Sequence, residues 1–520
     1  MSSEGAMMDM FPDEAIADKQ ESERQKSKAP VRVKQVDRNQ LCMRTVDVEK
    51  LIAESHAARG VWDFVSRLDL TEFYKDIGSL EGEAGRPAYD PKLLVSLWLY
   101  AYSDGVGTAR EIARLCEYDP AYQWLTGLEV ISYHTLSDFR ISNQSALDEL
   151  FKSSLGILSF EGLVEMKRAM HDGVKIKASA GSDTFRTKKT LQEHLEQAQQ
   201  QIEALSDPDD EAATTRADQA RRRAVQERKQ RVESALQQME EISRQRSPAE
   251  RASVRSSQTD PDARKMKEAN GGYAPNYNGQ LTADAAHGII VAARVSQSAS
   301  DFRELRPALQ EIKKNCGRLP DQLVTDAGFS SRENVLLMAD NNIDYIAPTI
   351  KVADSAGQFH LRGIAPEFHT EAFHFDSENN RFLCPQQKIL SFKSKRHRIG
   401  AIEHSYRAQL TDCASCPFKQ QCCPKNTHNG RGIVRTELLP VVQQFVDKMN
   451  RPETMAIYKQ RGQIIEFCNA WIKTKIGLRQ FHVRGLIKVT MELIWACLAY
   501  NIKQWIRLRW HPPLQPISAP

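Results

Sequence analysis

"LVTDAGFSSREN", residues 323–334, opens on an apolar pair, Leu323 and Val324, and then delivers Asp326 and Gly328. The pair reads as the end of a buried strand. An ionised carboxylate there is costly unless it is paired, hydrogen-bonded or bound to a cation. If Asp326 is more than a turn cap, its partners have to come from elsewhere in the chain.

Outward from this stretch the pattern is mixed. Upstream, "DFRELRPALQEIKK" predicts a helix closing at Gly317, while "RAMHDGVKIKASA" and "YNGQLTADAAHGIIVAARVS" read as strands. Downstream, "NNIDYIAPT" adds a short strand. Several strands, one crossover helix and later long helices imply a mixed α/β domain. Asp172 lies on the first strand beside Gly173, which permits close backbone approach. In "YKQRGQIIEFCNAWIKTKIGLRQF" a helix is expected to carry Glu466 in its middle and to present Tyr458, Arg461 and Lys473. Two strand aspartates and a helix glutamate are the residue types that hold paired divalent cations, since hard Mg²⁺ prefers oxygen ligands. Their long separations define no motif by themselves. Asp284 reads better as a turn cap, Glu492 as a buried structural acid with Arg484 as its expected partner, and His171 points to the strand face opposite Asp172.

Two units interrupt this domain. Between 186 and 250, Leu191, Leu195, Ala198 and Ile202, then Val225, Val232, Leu236 and Met239, follow helical spacing on either side of "SDPDDEAATT", which predicts an antiparallel helical hairpin. Between 351 and 434, five of the ten cysteines crowd together. Cys413 and Cys416 form a C-x₂-C pair, with Cys384 upstream and Cys422 downstream. Those four suit a tetrahedral Zn²⁺ site, with Cys423 or His404 as a substitute for one of them, and reduced structural thiols are the alternative. The neighbouring "SFKSKRHRIG" is strongly basic and reads either as a phosphate contact or as a solvated loop.

The N-terminal part divides in two. Residues 1–40 are polar with a basic stretch, the composition of a disordered tail. From 41 to 160 the pattern is helical: Asp90 and Pro91 start one helix, Gly105 and Gly107 end it, and Thr108 caps the next. Short helices bearing Arg110, Arg114, His134 and Arg140 suit a DNA-binding module, with ordinary helical packing as the alternative. Lys plus Arg number 71 against 67 acids, a net charge of +4 that does not by itself imply a polyanionic partner. No apolar run approaches the roughly 18–20 residues that span a bilayer, so a soluble, cytoplasmic chain is expected.

Taken in order, "YDPKLLVSLWLYAYSDGVGTAREIARLC", "YHTLSDFR", "DGVKIKASA", "TDPDARKM", "YNGQLTAD", "VTDAGFSSREN", "YKQRGQIIEFCNAWIK" and "RGLIKVTMELIWACLAYNIKQW" resemble the DDE transposases of bacterial insertion sequences. The resemblance runs from about residue 40 to 505. It implies an α/β fold: an RNase H-like mixed-sheet catalytic core over 161–350 and 435–510, with an N-terminal all-α domain, the helical-hairpin insertion and a small Cys-containing β-rich insertion. It also implies that Asp172, Asp326 and Glu466 hold Mg²⁺ or Mn²⁺ and that Tyr458, Arg461 and Lys473 form a signature whose basic members bind DNA phosphate. Arg110 and Arg140 are expected to touch DNA from the helical domain. The implied partners are the element's terminal inverted repeats and target DNA, met as a homodimer at the nucleoid, and the implied reaction is cleavage followed by transfer of 3′-OH ends. A nuclease that does not join, or a decayed copy that only binds DNA, are the alternatives. This chain departs from the family at Val174, where Thr is frequent, and at Asn469 and Ala470, where Phe-Gly is frequent.

Overall fold

The strand read from "RAMHDGVKIK" forms as β1 (Arg168–Lys177) in the computed structural model, which describes residues 38–39, 41, 43, 45–75, 77–79, 87–205, 216–244, 246–268, 270–348, 350, 363–424 and 428–512. The basic stretch of the expected N-terminal tail and most of the hairpin's connecting loop lie outside these residues. The chain divides into Met1–Asp47 and Val48–Pro520, and among the described residues every helix and strand belongs to the second unit.

After β1 come a two-stranded ribbon, β2 (Phe185–Arg186) with β3 (Ser256–Ser257), then β4 (Arg264–Lys267), β5 (Tyr273–Asp284), β6 (Ile290–Ser296), β7 (Gln322–Val324) and β8 (Asp344–Ile346). The main sheet has the order β4-β5-β1-β7-β8, with β6 also pairing β5. β5 runs antiparallel to β1 and to β6, whereas β7 is parallel to β1 and β8 parallel to β7. Parallel neighbours need a crossover, and the helix Leu305–Cys316 supplies it between β6 and β7. The fold is thus mixed α/β with a mixed sheet.

Helix starts follow the local chemistry of the sequence. Asp90 accepts from Lys92 N with Pro91 at the first position, Thr108 accepts from Glu111 N, and Ser132 from His134 N. These caps satisfy backbone donors that a helix start leaves open. The helical segment does not stand apart as a separate body, however. One apolar core runs from Ala58 through Trp98, Leu281 and Val324 to Trp505. The C-terminal helix Leu486–Leu508 is its axis. Trp505 meets Phe64 edge-on with ring centroids 4.9 Å apart, and Asn501 bonds both N and O of Ile290 at 2.8 Å.

The two interruptions have cores of their own. Helices Lys188–Ala204 and Arg216–Arg244 pack through Leu191, Val232, Ala235 and Met239. A second sheet, β9 (His374–Asp376), β10 (Arg381–Leu383), β11 (Ile389–Arg398), β12 (Ala401–Ala408) and β13 (Gly432–Leu438), has the order β13-β12-β11-β10-β9. It closes over Phe373, Phe382, Leu390 and Tyr406. Among the described residues no helix is long and apolar enough to cross a membrane.

Candidate functional site

Register places the first two acids. Met170 on β1 is paired with Val324 on β7, so, two residues on, Asp172, midway along β1, and Asp326, just past the end of β7, stand near each other. Asp172 Oδ1 accepts from Gly173 N at 2.9 Å, and Asp326 Oδ1 accepts from Gly328 N at 2.8 Å. The same Asp326 bond caps the short 3₁₀ turn Ala327–Phe329.

The third acid arrives on the C-terminal side. The expected helix forms, but with a π turn over Gly462–Glu466 that passes into the α-helix Phe467–Thr474. Single π turns in helices recur at functional sites, because the extra residue re-aims the side chains around it. Here Arg461 bridges the acids, its Nη1 3.2 Å from Asp172 Oδ2 and its Nη2 2.5 Å from Glu466 Oε1. The Arg461 and Asp172 side chains are 14% exposed, whereas Glu466 is 55% exposed and faces solvent. Burial raises Asp172 to about 6 although the Arg461 charge pulls the other way, and the charges of Asp326 and Asp301 add to the rise. Burial also pushes Asp326 up, against the bond from Gly328 and the Arg461 charge.

Two further residues belong to this constellation, and neither was singled out as a site residue from the sequence. Asp301 accepts from Asn278 Nδ2 and Gln280 Nε2, each at 2.7 Å. Its carboxylate lies close to both flanking glycines: a Cβ at Gly173 would stand 2.5 Å from Asp301 Oδ1, and one at Gly328 3.5 Å from Asp301 Oδ2. Gly173 therefore makes room for an acid that sequence spacing does not mark out, while the distance at Gly328 is ordinary contact. Asn469 donates Nδ2 to Asp172 Oδ2 at 3.2 Å, and its Oδ1 is buried without a partner among the described residues. His171 lies on the other strand face, as alternation required, bonded to Thr282 and Gln280 at 2.8 and 2.9 Å and held neutral, its pKa lowered by burial to about 4.

The remaining expected site residues divide. Tyr458 is half-buried near Arg461, and Lys473 is half-buried with its pKa lowered by burial. Arg110 is exposed, lies over the Tyr133 ring at 5.3 Å, and lines a groove with His134, Ser179 and Gln480. Arg140 is a correction. It is 4% exposed, stacked over Trp98 at 4.7 Å and bonded through Nη1 to Gly107 O at 2.8 Å and Glu492 Oε1 at 3.5 Å, so this guanidinium is not presented to DNA. The expected Glu492–Arg484 pair is corrected with it, because Arg484 bonds Ser179 O instead. Asp284 caps backbone N–H groups of Met166 and Ala286 at 2.7 and 2.9 Å and takes no part in the site.

Cys384, Cys413, Cys416, Cys422 and Cys423 line one small cavity. Lys388 N and Arg431 N each donate to a sulfur, those of Cys384 and Cys413, at 3.3 Å. Burial, with the neighbouring Cys423, Cys413 and Cys384, pushes the Cys422 thiol to about 12. Among the described residues no three His, Cys, Asp or Glu side chains are arranged to hold a metal ion, either here or at Asp172.

Two family models match the chain. A transposase domain (DUF772) covers residues 46–142, and a transposase DDE domain covers residues 383–506. The second match includes Glu466, Arg461 and Asn469 but neither aspartate, so Asp172 and Asp326 enter by geometry. The comparison with curated proteins and that with solved structures returned no match. Its helical N-terminal part and its C-terminal part are thus each matched by a transposase domain, which is consistent with a DDE transposase of an insertion sequence.

Proposed function

We propose that this transposase binds the ends of an insertion sequence, hydrolyses a phosphodiester at each end and joins the freed 3′-OH to target DNA, with Asp172, Asp326 and Glu466 as its catalytic carboxylates. The observation that carries the reading is the convergence of three acids far apart in sequence: parallel register sets Asp172 beside Asp326, and Arg461 ties Glu466 to them. The sheet order, with three antiparallel strands followed by two parallel ones, supports an RNase H-like core.

The donor set fits a hard cation. Asp172, Asp326 and Glu466 offer carboxylate oxygens, and the orphaned Asn469 Oδ1 marks a polar position still needing a partner. Bound Mg²⁺ or Mn²⁺ would supply charge stabilisation for the attacking and leaving oxygens. The chain's own residues do the rest. Arg461 now neutralises Asp172 and Glu466, and its planar fork is suited to leave them for the oxygens of an incoming phosphate. Its departure opens the carboxylates. Lys473 adds positive charge on the same helix, and Arg110 presents a cation from the helical segment. Two ends are cut together, so a homodimer forms on DNA.

Incubating the protein with Mg²⁺ and a labelled element end tests the reading. Joined products are expected; hydrolysis without joining indicates a nuclease, and a mobility shift without cleavage indicates a binder. In the Cys-rich unit Cys384, Cys413, Cys416 and Cys422 are proposed as the residues that would hold a structural Zn²⁺, supported by their shared cavity. Metal analysis of purified protein is expected to give one zinc per chain, and none would leave packed thiols.

A further inference from the structure

Asn469 stands one amide away from Asp172 and satisfies only half of its own hydrogen-bonding capacity. Nδ2 donates to Asp172 Oδ2 at 3.2 Å, alongside Arg461 Nη1 at the same distance. That bond fixes the amide's orientation, since the reverse flip would set a carbonyl oxygen against a carboxylate. Oδ1 is thereby turned into a buried position where, among the described residues, it has no hydrogen-bond partner. A buried acceptor left unpaired costs on the order of 1–3 kcal/mol, and such a group in a native structure calls for a partner.

The position is set by the helix. Asn469 follows Arg461 by eight residues and Glu466 by three, and on either side of the π turn at Gly462–Glu466 Arg461 and Asn469 both reach Asp172 midway along β1, with Glu466 held by Arg461.

We propose that Asn469 is a further residue of the reaction centre: Nδ2 holds Asp172 in place, and Oδ1 supplies an additional oxygen, directly or through a water, to the divalent cation the centre takes up. The chemistry agrees, because amide carbonyls are ordinary ligands of hard cations and Asp172 is already the neighbour. This rests on the proposed function, which makes Asp172 a cation ligand.

Binding of Mn²⁺ alone to the full-length protein, without DNA, is read from the free-ion electron paramagnetic resonance signal. Asn469→Ala is expected to weaken binding about tenfold or more with the melting temperature little changed. Asn469→Asp separates the two roles. An oxygen ligand predicts that it binds Mn²⁺ at least as tightly as the wild type at pH 8. An amide that only props Asp172 predicts weaker binding than Asn469→Ala, because it sets like charge against Asp172. Wild-type binding by Asn469→Ala, or Asn469→Asp weaker than Asn469→Ala, overturns the proposal. Asp172→Asn keeps the two claims apart: if it binds Mn²⁺ and cleaves like the wild type, the proposed function itself fails, whereas its loss of both with Asn469→Ala unchanged removes Asn469 alone.

Discussion

The acid–arginine clusters around Glu492 and around Asp172 differ in how deeply their carboxylates are buried and in what surrounds them. Around Glu492, which is fully buried, Oε1 meets His482 Nδ1 at 2.7 Å, Tyr102 Oη at 3.4 Å and Arg140 Nη1 at 3.5 Å. Its Oε2 accepts from the backbone of His482 and Val483 at 2.9 and 3.3 Å. Both oxygens are used, and the cluster ties the helical segment to the C-terminal helix. Around Asp172 the carboxylates crowd with Asp301 behind them, Glu466 opens to solvent, and Asn469 Oδ1 is left over. A fully buried acid whose two oxygens are both bonded holds structure together, although Arg140 Nε beside it has no partner among the described residues; a crowded group of carboxylates open to solvent at Glu466 is held ready for something to bind.

Substitutions can break this contrast at either end. The largest effect is expected from Asp326→Asn, which should lower both hydrolysis and joining about a thousandfold or more while leaving end binding intact. Cleavage retained in the labelled-end assay would remove Asp326 from the catalytic set. Next, Glu492→Ala strands Arg140 in the core and should destabilise the fold by about 3–5 kcal/mol, read from urea unfolding. A neutral result would show that the cluster is not structural.

The pH dependence sharpens the comparison. Asp172 is raised in the folded chain to about 6, above the unfolded carboxylate value. Between about pH 4 and 6 the folded chain therefore binds a proton that the unfolded chain has released, and stability falls as pH rises through that window. Asp172→Asn removes this cost, so its melting temperature should exceed the wild type's by about 1–3 °C at pH 7.5 and by less at pH 4.5. An equal difference at both values would contradict the burial of this charge. The smallest effect separates the two arginines once read alike: Arg110→Ala should weaken DNA binding and reduce the salt slope by about 1, while Arg140→Met should leave that slope unchanged and lower thermal stability.

These arginines show where the sequence was legible. Arg110 and Arg140 lie on neighbouring capped helices with similar surroundings in sequence, and nothing local marks one as exposed and the other as buried. The difference comes from Glu492, more than three hundred positions away, which draws Arg140 inward. Asp172 and Asp326 drew notice because an acid on or just past an apolar strand is costly, but only the family resemblance grouped them with Glu466. Asp301 did not, because ahead of a helix an Asp reads as an ordinary cap. Gly173, read as permitting close backbone approach, proves to make room for the Asp301 carboxylate.

By itself, the sequence determined the helix starts, the strands, the helical pair and the acids worth watching, because caps, alternation and burial cost act over a few residues. Only the tertiary structure decided which charges meet. Parallel register put Asp172 beside Asp326, the helix around the π turn brought Arg461 and Asn469 to Asp172, and the C-terminal helix joined the helical segment to the sheet in one core. Such contacts depend on how whole elements pack, and no short stretch of sequence carries that.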